Sequence, residues 1–376
     1  MPKLTVVNLH PHSAFLLGRR GVGQEVTREH VPADTLFSAL LMTWLEWGGR
    51  AEDWVAGFPT TGGEVEGQPP FLLTSAFPFA GGVRFYPKPL LDLQVGERRK
   101  ELRRLRFISE SLFQRVVQGE GLAAWVPPSD PSAKPEAGVA LQDGTIWLTR
   151  EEVERLPPQF RAVPEAGGRL SRALWARKVF EVGRVPRVTV DRVCHASEIY
   201  HTARLTFAPG CGLWFGICWL RPADPVPGLG ISYREALATL LEVLGDGGMG
   251  GERTAGHGAF HPQEGEELGW PDPIPGEPFI TLSRYHPRRE ELPTTLSGDQ
   301  AAYELEAVGG WLQSLGLSAQ RRRPLWLVTE GSVCHAVGNG PWGDVVDVRP
   351  TYEAASVSHP VWRYGLACPV ALGGGA

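Results

Sequence analysis

The sequence predicts an α+β protein of two ferredoxin-like domains, the first enlarged by insertions and carrying a Gly-rich loop. The chain of 376 residues is long enough for two domains of ordinary size. Residues 261–278 contain five acids and several prolines but no Lys or Arg, which marks a linker. Predicted strands and helices on both sides alternate in a ferredoxin-like order. We therefore predict domains over 1–262 and 279–376, joined by a linker over 263–278.

In the first domain, residues 3–9 alternate in hydropathy and predict a strand. Residues 36–47 carry apolar side chains at helical spacing, with Asp34 placed as the N-cap and two glycines at the end. Further strands are predicted at 187–192, 202–207 and 213–220. An amphipathic helix over 233–244 leads directly into the Gly-rich segment 245–258.

The second domain is predicted from a shorter series of elements. A strand over 279–285 precedes a helix over about 301–315, a strand over 324–333 and a last strand near 361–367. This order of a helix between strands is the observation that predicts a ferredoxin-like unit here.

Composition restricts the partners that the chain can bind. The chain has 32 Arg and only 5 Lys against 42 Asp and Glu, so its net charge is −5 and any nucleic-acid surface must be local. Segments long and apolar enough to span a bilayer are absent from the sequence. The five cysteines are odd in number and lack C-x-x-C spacing, which favours a cytoplasmic protein without a disulfide framework or a metal.

The strongest local signal is the Gly-rich segment 245–258, in which seven of fourteen residues are Gly. Backbone N–H groups of such a loop can approach a phosphate closely, and Arg253 and Thr254 add side-chain donors. The segment contains G-x-G-x-x-G, but a helix precedes it where a dinucleotide-binding unit has a strand. We favour a loop that holds a nucleic-acid backbone; glycines needed only for turns and a nucleotide cofactor site remain alternatives.

Arg and aromatic residues occur together in residues 161–192, with Leu174, Trp175 and Phe180 among eight bases. Charge and flat rings suit single-stranded RNA, although such rings also build cores. The Arg clusters at 98–106 and 321–323 fit RNA contacts or a solvated face equally.

Histidines are the candidates for catalysis. His10, His12, His195 and His201 could transfer protons in metal-independent RNA cleavage, or be structural. Their spacing is that of no known metal site, so no enzyme signature is established.

Several segments together resemble one protein family, the fourth subunit of the Csm complex, which is the type III-A CRISPR effector. That family is a tag-capping group of the repeat-associated mysterious protein (RAMP) superfamily. The matching segments are HVPADTLFSAL (30–40), SAFPF (75–79), PKPL (87–90), VDR (190–192), the Gly-rich segment, LSRYHP (282–287), EGS (330–332) and HPVWRYG (359–365). They extend over nearly the whole chain.

The resemblance implies two ferredoxin-like, RNA-recognition-motif-like domains and a non-catalytic antiviral role without a cofactor. The subunit would cap the 5′ repeat-derived tag of the guide RNA. It would bridge the large polymerase-like signalling subunit to the first backbone subunit. The alternatives are a RAMP endoribonuclease that processes precursor guide RNA with His as acid or base, and the equivalent subunit of a type III-B complex.

The resemblance also implies the residues that bind RNA. The Gly-rich loop would contact the tag backbone, and the strand 187–192 with its hairpin would form a thumb that kinks the guide. The RNA-binding residues are then Gly247, Gly248, Gly250, Gly251, Arg253, Thr254, Asp34, Thr35, Ser38, Lys88, Arg187, Arg192 and Arg284. After Arg192 the chain reads Val193-Cys194-His195 where the family pattern has Thr-Gly, which would alter the tip of the thumb.

Overall fold

A computed structural model describes residues 3–18, 27–61, 68–96, 99–128, 137–162, 170–190, 197–312, 320–352, 357 and 359–373. The α-helices in these ranges are α1 (Ala33–Glu46), α2 (Ala51–Val55), α3 (Glu110–Val117), α4 (Pro158–Arg161), α5 (Leu170–Ala176), α6 (Tyr233–Gly247) and α7 (Thr294–Ser297). The mixture of helices with a large sheet confirms the predicted α+β class.

Eleven strands belong to the N-terminal part of the chain. They are β1 (Lys3–Pro11), β2 (Phe71–Leu73), β3 (Phe77–Ala80), β4 (Val83–Pro87), β5 (Phe107–Ser109), β6 (Gly138–Leu141), β7 (Ile146–Thr149), β8 (Phe180–Val190), β9 (Ser197–Phe207), β10 (Cys211–Trp219) and β11 (Phe260–Gly269). All except the β8–β9 hairpin form one nine-stranded sheet in the order β11-β1-β10-β3-β4-β5-β7-β6, with β2 also paired to β10.

The C-terminal part contains shorter strands in four small sheets. They are β12 (Pro278–Thr281), β13 (Leu305–Val308), β14 (Trp311–Leu312), β15 (Gln320–Arg321), β16 (Leu325–Val328), β17 (Val333–His335), β18 (Val345–Asp347), β19 (Trp362–Tyr364) and β20 (Pro369–Ala371). The sheets are β17-β12-β20, β13-β16, β14-β15 and β18-β19.

The predicted helix over about 301–315 is wrong for the residues that the structure describes. Residues 305–308 and 311–312 are strands β13 and β14, paired with β16 and β15 across one hairpin. Gly309 and Gly310 separate the two strands, and Gly310 has a φ of 123°. Two consecutive glycines disfavour a helix, and the residues before them, 303–307, alternate between an apolar side chain and Glu in the way that a strand requires.

The predicted linker over 263–278 is wrong in its first part. Strand β11 (Phe260–Gly269) pairs with β1 along nearly its whole length and forms one edge of the large sheet. Its acids lie on the exposed edge, where Glu264 pairs with Arg234 at 3.0 Å and Glu267 with Lys3 at 2.8 Å. Charges on an edge strand prevent pairing with another chain, so the acidic composition reflects an edge and not a linker.

The first helix begins differently from the prediction but occupies the predicted place. Pro32 is the N-cap of α1, and Asp34 lies inside the first turn. The free N–H of Ala33 is satisfied by the Ser75 hydroxyl, at 2.8 Å, so a neighbouring strand segment supplies the capping oxygen. Asp34 is therefore released for another partner.

A single apolar core connects the two halves of the chain. One cluster of buried side chains extends from the large sheet and α1 to Leu282, Val345 and Tyr364 of the C-terminal part. Phe37 of α1 stacks on Tyr364 with ring centroids 5.1 Å apart, and the Tyr364 hydroxyl accepts a hydrogen bond from the Leu73 N–H.

A buried network of charges crosses the same boundary. Asp34 is fully buried, forms an ion pair with Arg363 and lies 3.5 Å from Arg284. Arg284 also pairs with Glu306 and lies 3.7 Å from Glu330. Burying an ion costs several kcal/mol unless its partners compensate, so these side chains are stable in the interior only together. We call Asp34, Arg284, Arg363, Glu306, Glu330 and Arg28 the interdomain charge network.

Glu330 shows how the network fixes protonation. Burial opposes its ionisation, but His30, Arg284 and the Ser75 hydroxyl outweigh that cost and hold the pKa of Glu330 well below its usual value. The Ser75 hydroxyl donates to the Glu330 carboxylate at 2.6 Å. Glu330 is therefore a carboxylate at neutral pH, and it joins the strand segment before β3 to the C-terminal part.

We predict that Glu330 makes the free energy of unfolding depend on pH in the acidic range. Unfolded Glu has a pKa of about 4.3, so as the pH falls below that value the unfolded chain takes up a proton that the folded chain refuses. In that range, each further decrease of one pH unit should lower the free energy of unfolding by about 1.4 kcal/mol because of this carboxylate. Urea unfolding between pH 7 and 3 should show a shallower acid slope for Glu330→Gln than for the original protein. Equal slopes would contradict the prediction.

Candidate nucleic-acid interface

The Gly-rich loop begins where α6 ends. Ser232 caps α6 at its start through a capping box with Glu235, and Gly248, with a φ of 77°, ends the helix. Residues 248–259 then pass along the segment that follows β1. Gly251 N–H donates to the Leu16 carbonyl and Gly258 N–H to the Ala14 carbonyl, both at 2.8 Å. The loop is therefore fixed against the main sheet along its length.

The glycines of the loop have two different environments. A Cβ at Gly250 would lie 2.6 Å from the Leu16 carbonyl oxygen, and a Cβ at Gly258 would lie 2.2 Å from that of Met249. These glycines allow backbone to pack on backbone inside the protein. Around Gly247 and Gly256, by contrast, a Cβ would meet nothing within 4 Å. The loop thus has an inner side closed by the chain and an outer side that is open.

Arg253 and Thr254 lie on a single 3₁₀ turn, Arg253–Ala255, on the outer side of the loop. Thr254 is exposed. The Arg253 guanidinium is 3.9 Å from Glu46 at the last residue of α1, and about a third of its side chain is exposed. A pair at this distance and exposure is weak, so the guanidinium can exchange Glu46 for another anion.

Arg187 of β8 lies next to the loop. Its guanidinium is 3.5 Å from His257 Nε2 and 3.9 Å from Glu252. His257 Nδ1 donates to the Ala14 carbonyl at 3.2 Å, which leaves Nε2 as the acceptor for Arg187. His257 therefore orients Arg187, and Glu252, whose φ is 59°, supplies an acid that sequence reasoning did not place here.

Strands β8 and β9 form a hairpin of eleven residue pairs. Its base is anchored in the core by Phe180 and Leu205, which are buried. Farther along, Val188 and Ile199 face each other across the hairpin and are 57% and 66% exposed. Large apolar side chains so exposed on paired strands mark a surface that contacts another molecule.

Asp34 and Arg284 do not reach this interface. Both were predicted to bind RNA, but Asp34 is fully buried and Arg284 is 1% exposed in the interdomain charge network. Their charges neutralise each other and those of neighbouring side chains. The structure therefore gives them a role in joining the two parts of the chain, and we correct the prediction for both.

The other predicted residues are dispersed. The Ser38 hydroxyl donates to the Asp34 carbonyl of its own helix at 2.7 Å, and Thr35 lies partly buried in the same first turns. The Lys88 ammonium donates to the Leu102 carbonyl at 3.2 Å. Arg192 and the segment 193–195 lie outside the described residues, so their assignment stays a prediction.

The histidines considered for catalysis have separate surroundings. His10 Nε2 is 2.9 Å from the Gln263 side-chain oxygen, and His12 is exposed after β1. His201 is exposed on β9, opposite Pro186. Within the described ranges, His, Cys, Asp and Glu do not form a group of three that could hold a metal ion. In the same ranges, no helix is long and apolar enough to cross a membrane.

Comparison with known proteins finds similarity to one family. Residues 275–372 match the family model of the CRISPR Csm4 C-terminal domain. The chain is 24% identical over 389 residues to the CRISPR system Cms protein Csm4 of Thermococcus onnurineus (strain NA1), and the match covers 99% of this chain and 98% of the relative.

Solved structures share the architecture over almost the whole chain. The crystal structure of the Csm3-Csm4 subcomplex in the type III-A CRISPR-Cas interference complex contains a chain with a TM-score of 0.61 at 15% identity, covering 97% of this chain and 98% of that one. A Csm1-Csm4 cassette in complex with cA4 gives a TM-score of 0.53 at 20% identity, covering 99% and 98%. The predicted resemblance to Csm4, the fourth subunit of the type III-A Csm complex, is confirmed.

We predict that Gly258 is required for folding of the loop and Gly247 is not. Ala at Gly258 would need a left-handed φ of 83° and would collide with Met249, so it should lower the free energy of unfolding by about 1–3 kcal/mol or more. Gly247→Ala, the matched control in open space at a helix end, should stay within about 0.5 kcal/mol of the original protein. Urea denaturation measures both, and a Gly258→Ala variant of unchanged stability would refute the account of the loop.

Proposed function

We propose that this protein is a non-catalytic subunit of a type III-A CRISPR effector that binds the 5′ repeat-derived tag of the guide RNA. The observation that carries the proposal is the meeting of the Gly-rich loop and Arg187 on one open surface beside an exposed hairpin. Arg253 and Thr254 supply donors at the same place. The similarity to Csm4 proteins supports the same function.

The loop can hold a phosphate because Gly256 leaves open space beside the Arg253 and Thr254 side chains on its outer side. Where Gly256 leaves open space, an RNA backbone can approach the main chain of the loop closely. Arg253 then adds a charge-assisted hydrogen bond, which is about twice as strong as a neutral one. Contacts of this kind recognise the backbone and not the base, so they suit an RNA segment whose position matters more than its sequence.

The β8–β9 hairpin would act as the thumb beside the tag. Its exposed Val188 and Ile199 offer an apolar wedge, and Arg187 on the other face supplies charge next to the loop. An apolar wedge between bases interrupts their stacking and bends the strand. The hairpin therefore suits a kink between the tag and the rest of the guide.

The proposal includes two ferredoxin-like units. In the first, β11, β1, β10 and β3 are adjacent and antiparallel, α1 follows β1 and α6 connects β10 to β11, which is the arrangement of a ferredoxin-like sheet. The small sheet of β12, β17 and β20 would represent the second unit in reduced form.

The partners that we propose are the guide RNA, the large signalling subunit and a backbone subunit. The similar structures are those of Csm4 in a subcomplex with Csm3 and in a cassette with Csm1. The same two kinds of neighbour would place this chain between the large subunit and the backbone in the cytoplasm.

We predict that a negative charge on the outer side of the loop weakens tag binding. Gly256 has a φ of 80°, which both Asp and Asn tolerate better than most residues. Gly256→Asp should bind RNA carrying the tag about fivefold more weakly than Gly256→Asn, because the two differ only in charge and one repulsive pair costs about 1 kcal/mol in water. Arg253→Ala should lose about tenfold. Fluorescence anisotropy with full-length chain measures these affinities.

The original protein provides the controls, in binding and in incubation with precursor guide RNA. The original protein should bind tagged guide RNA more tightly than the same RNA without its tag, and it should leave precursor guide RNA intact in EDTA. Equal binding of both RNAs, or equal affinities of the Asp and Asn variants, would contradict the loop assignment. Cleavage that disappears in His10→Ala, His12→Ala or His201→Ala would overturn the non-catalytic proposal.

A further inference from the structure

Arg322 is a half-buried arginine whose charge the protein leaves without a partner. Its Nε atom is buried and makes no hydrogen bond, and within the described ranges no carboxylate lies at ion-pair distance from its guanidinium. Burial and the neighbouring Arg363 lower the pKa of Arg322 to about 10, and Asp34 opposes this only in part. The side chain is therefore still a cation at neutral pH, held beside a second cation.

The interdomain charge network cannot neutralise Arg322. Among the residues that the structure describes, and counting Arg322 with the network, four guanidiniums meet three carboxylates: the guanidiniums of Arg28, Arg284, Arg322 and Arg363, and the carboxylates of Asp34, Glu306 and Glu330. Asp34 is occupied by Arg363, and Glu306 by Arg28 at 2.5 Å and by Arg284. Among these described residues one positive charge is left over, and Arg322 is the guanidinium that has no carboxylate at ion-pair distance.

The backbone beside Arg322 is open as well. Arg322 N–H donates to the Gly310 carbonyl at 3.0 Å, and Arg363 Nη2 donates to the Gly309 carbonyl at 3.3 Å. A Cβ on either glycine would meet nothing within 4 Å. An incoming group can therefore approach Arg322 across main chain that bears no side chains, while Arg363 stays buried behind it.

The same hairpin carries exposed aromatic rings. Trp326 on β16 is 62% exposed, and Trp311 on β14 is exposed with the Arg321 guanidinium over its ring, 4.9 Å from the centroid. Flat rings beside arginine are what unpaired bases stack on. These rings favour a single-stranded nucleic acid over an acidic protein segment as the source of the missing anion.

We propose that Arg322, beside the Gly309-Gly310 backbone and with the buried charge of Arg363 behind it, forms a second phosphate-binding site that holds a phosphodiester of single-stranded RNA on the C-terminal part. The inference rests on the proposed RNA-binding function. This site adjoins Asp34 at the start of α1, whereas Arg253 of the Gly-rich loop adjoins Glu46 at its end. At 1.5 Å per residue the two ends of α1 are about 18 Å apart, so the sites are distinct.

The test compares two variants that remove one positive charge each. In Arg322→Gln the unpaired guanidinium is lost, whereas in the control, Arg349→Gln, the lost guanidinium is already paired with Asp347 at 2.5 Å in the same part of the chain. Binding of full-length chain to tagged guide RNA is measured over a range of NaCl concentrations, with thermal unfolding of each variant. Arg322→Gln should bind about tenfold more weakly. Its salt slope should fall by about 0.7, the value for one contact to a single strand.

The results separate this site from the proposed function. Arg322→Lys should keep most of the salt slope and recover only part of the affinity, because an ammonium keeps the charge without the planar fork. If Arg322→Gln and Arg349→Gln bind RNA alike while Arg253→Ala is weakened, this site is wrong and the loop assignment stands. If Arg322→Gln weakens assembly with the large subunit at unchanged RNA affinity, the occupant is a protein carboxylate and the inference is overturned. A failure of the original protein to prefer tagged RNA would count against the proposed function itself.

Discussion

The ion pair between Asp34 and Arg363 is the contact on which the arrangement of the chain depends. A fully buried carboxylate is tolerable only with cations around it, and Asp34 has two, Arg363 and Arg284, both from the C-terminal part. The buried charges of the first helix and of the C-terminal part are therefore paired in one relative position of the two. Removing any one partner would leave an uncompensated charge in the interior, and such a loss costs more than the intact pair contributes.

That contact has consequences at the other end of α1. With its first turn held in the interdomain charge network, the helix brings Glu46 to the Gly-rich loop and to Arg253. The loop in turn is fixed by main-chain hydrogen bonds to the segment after β1, and the β8–β9 hairpin stands beside it through Arg187 and His257. The proposed RNA surface is thus positioned by elements that are internal to the fold.

Some of this could be predicted from the sequence and some could not. Helices α1 and α6 were predictable because apolar side chains recur at helical spacing between clear start and stop residues. The region of Gly309 and Gly310 was predicted as helix because short apolar runs fit a strand and a helix alike. The acidic edge strand β11 was mistaken for a linker because its partner, β1, is more than 250 residues away in sequence.

At the candidate site, less could be predicted from the sequence than for the fold. Seven glycines predicted a loop, but only the structure shows that Gly250 and Gly258 serve internal packing while Gly247 and Gly256 face open space. Asp34 and Arg284 occur in segments that resemble one family, and a charged residue in such a segment looks the same whether it faces RNA or another side chain. In the sequence, Arg322 is only the middle one of three consecutive arginines. That its buried Nε atom makes no hydrogen bond is seen only in the folded chain.

The central claim is that RNA lies on the Gly-rich loop and the hairpin, and that the start of α1 is internal. Photo-crosslinking of tagged guide RNA to the full-length protein, read out by peptide mass spectrometry, tests this directly. The account predicts crosslinked peptides from residues 248–258 and from strands β8 and β9, and none from the first turn of α1 or from Arg284. Crosslinks concentrated at residues 34–38 and 284, with the loop unmodified, would contradict it.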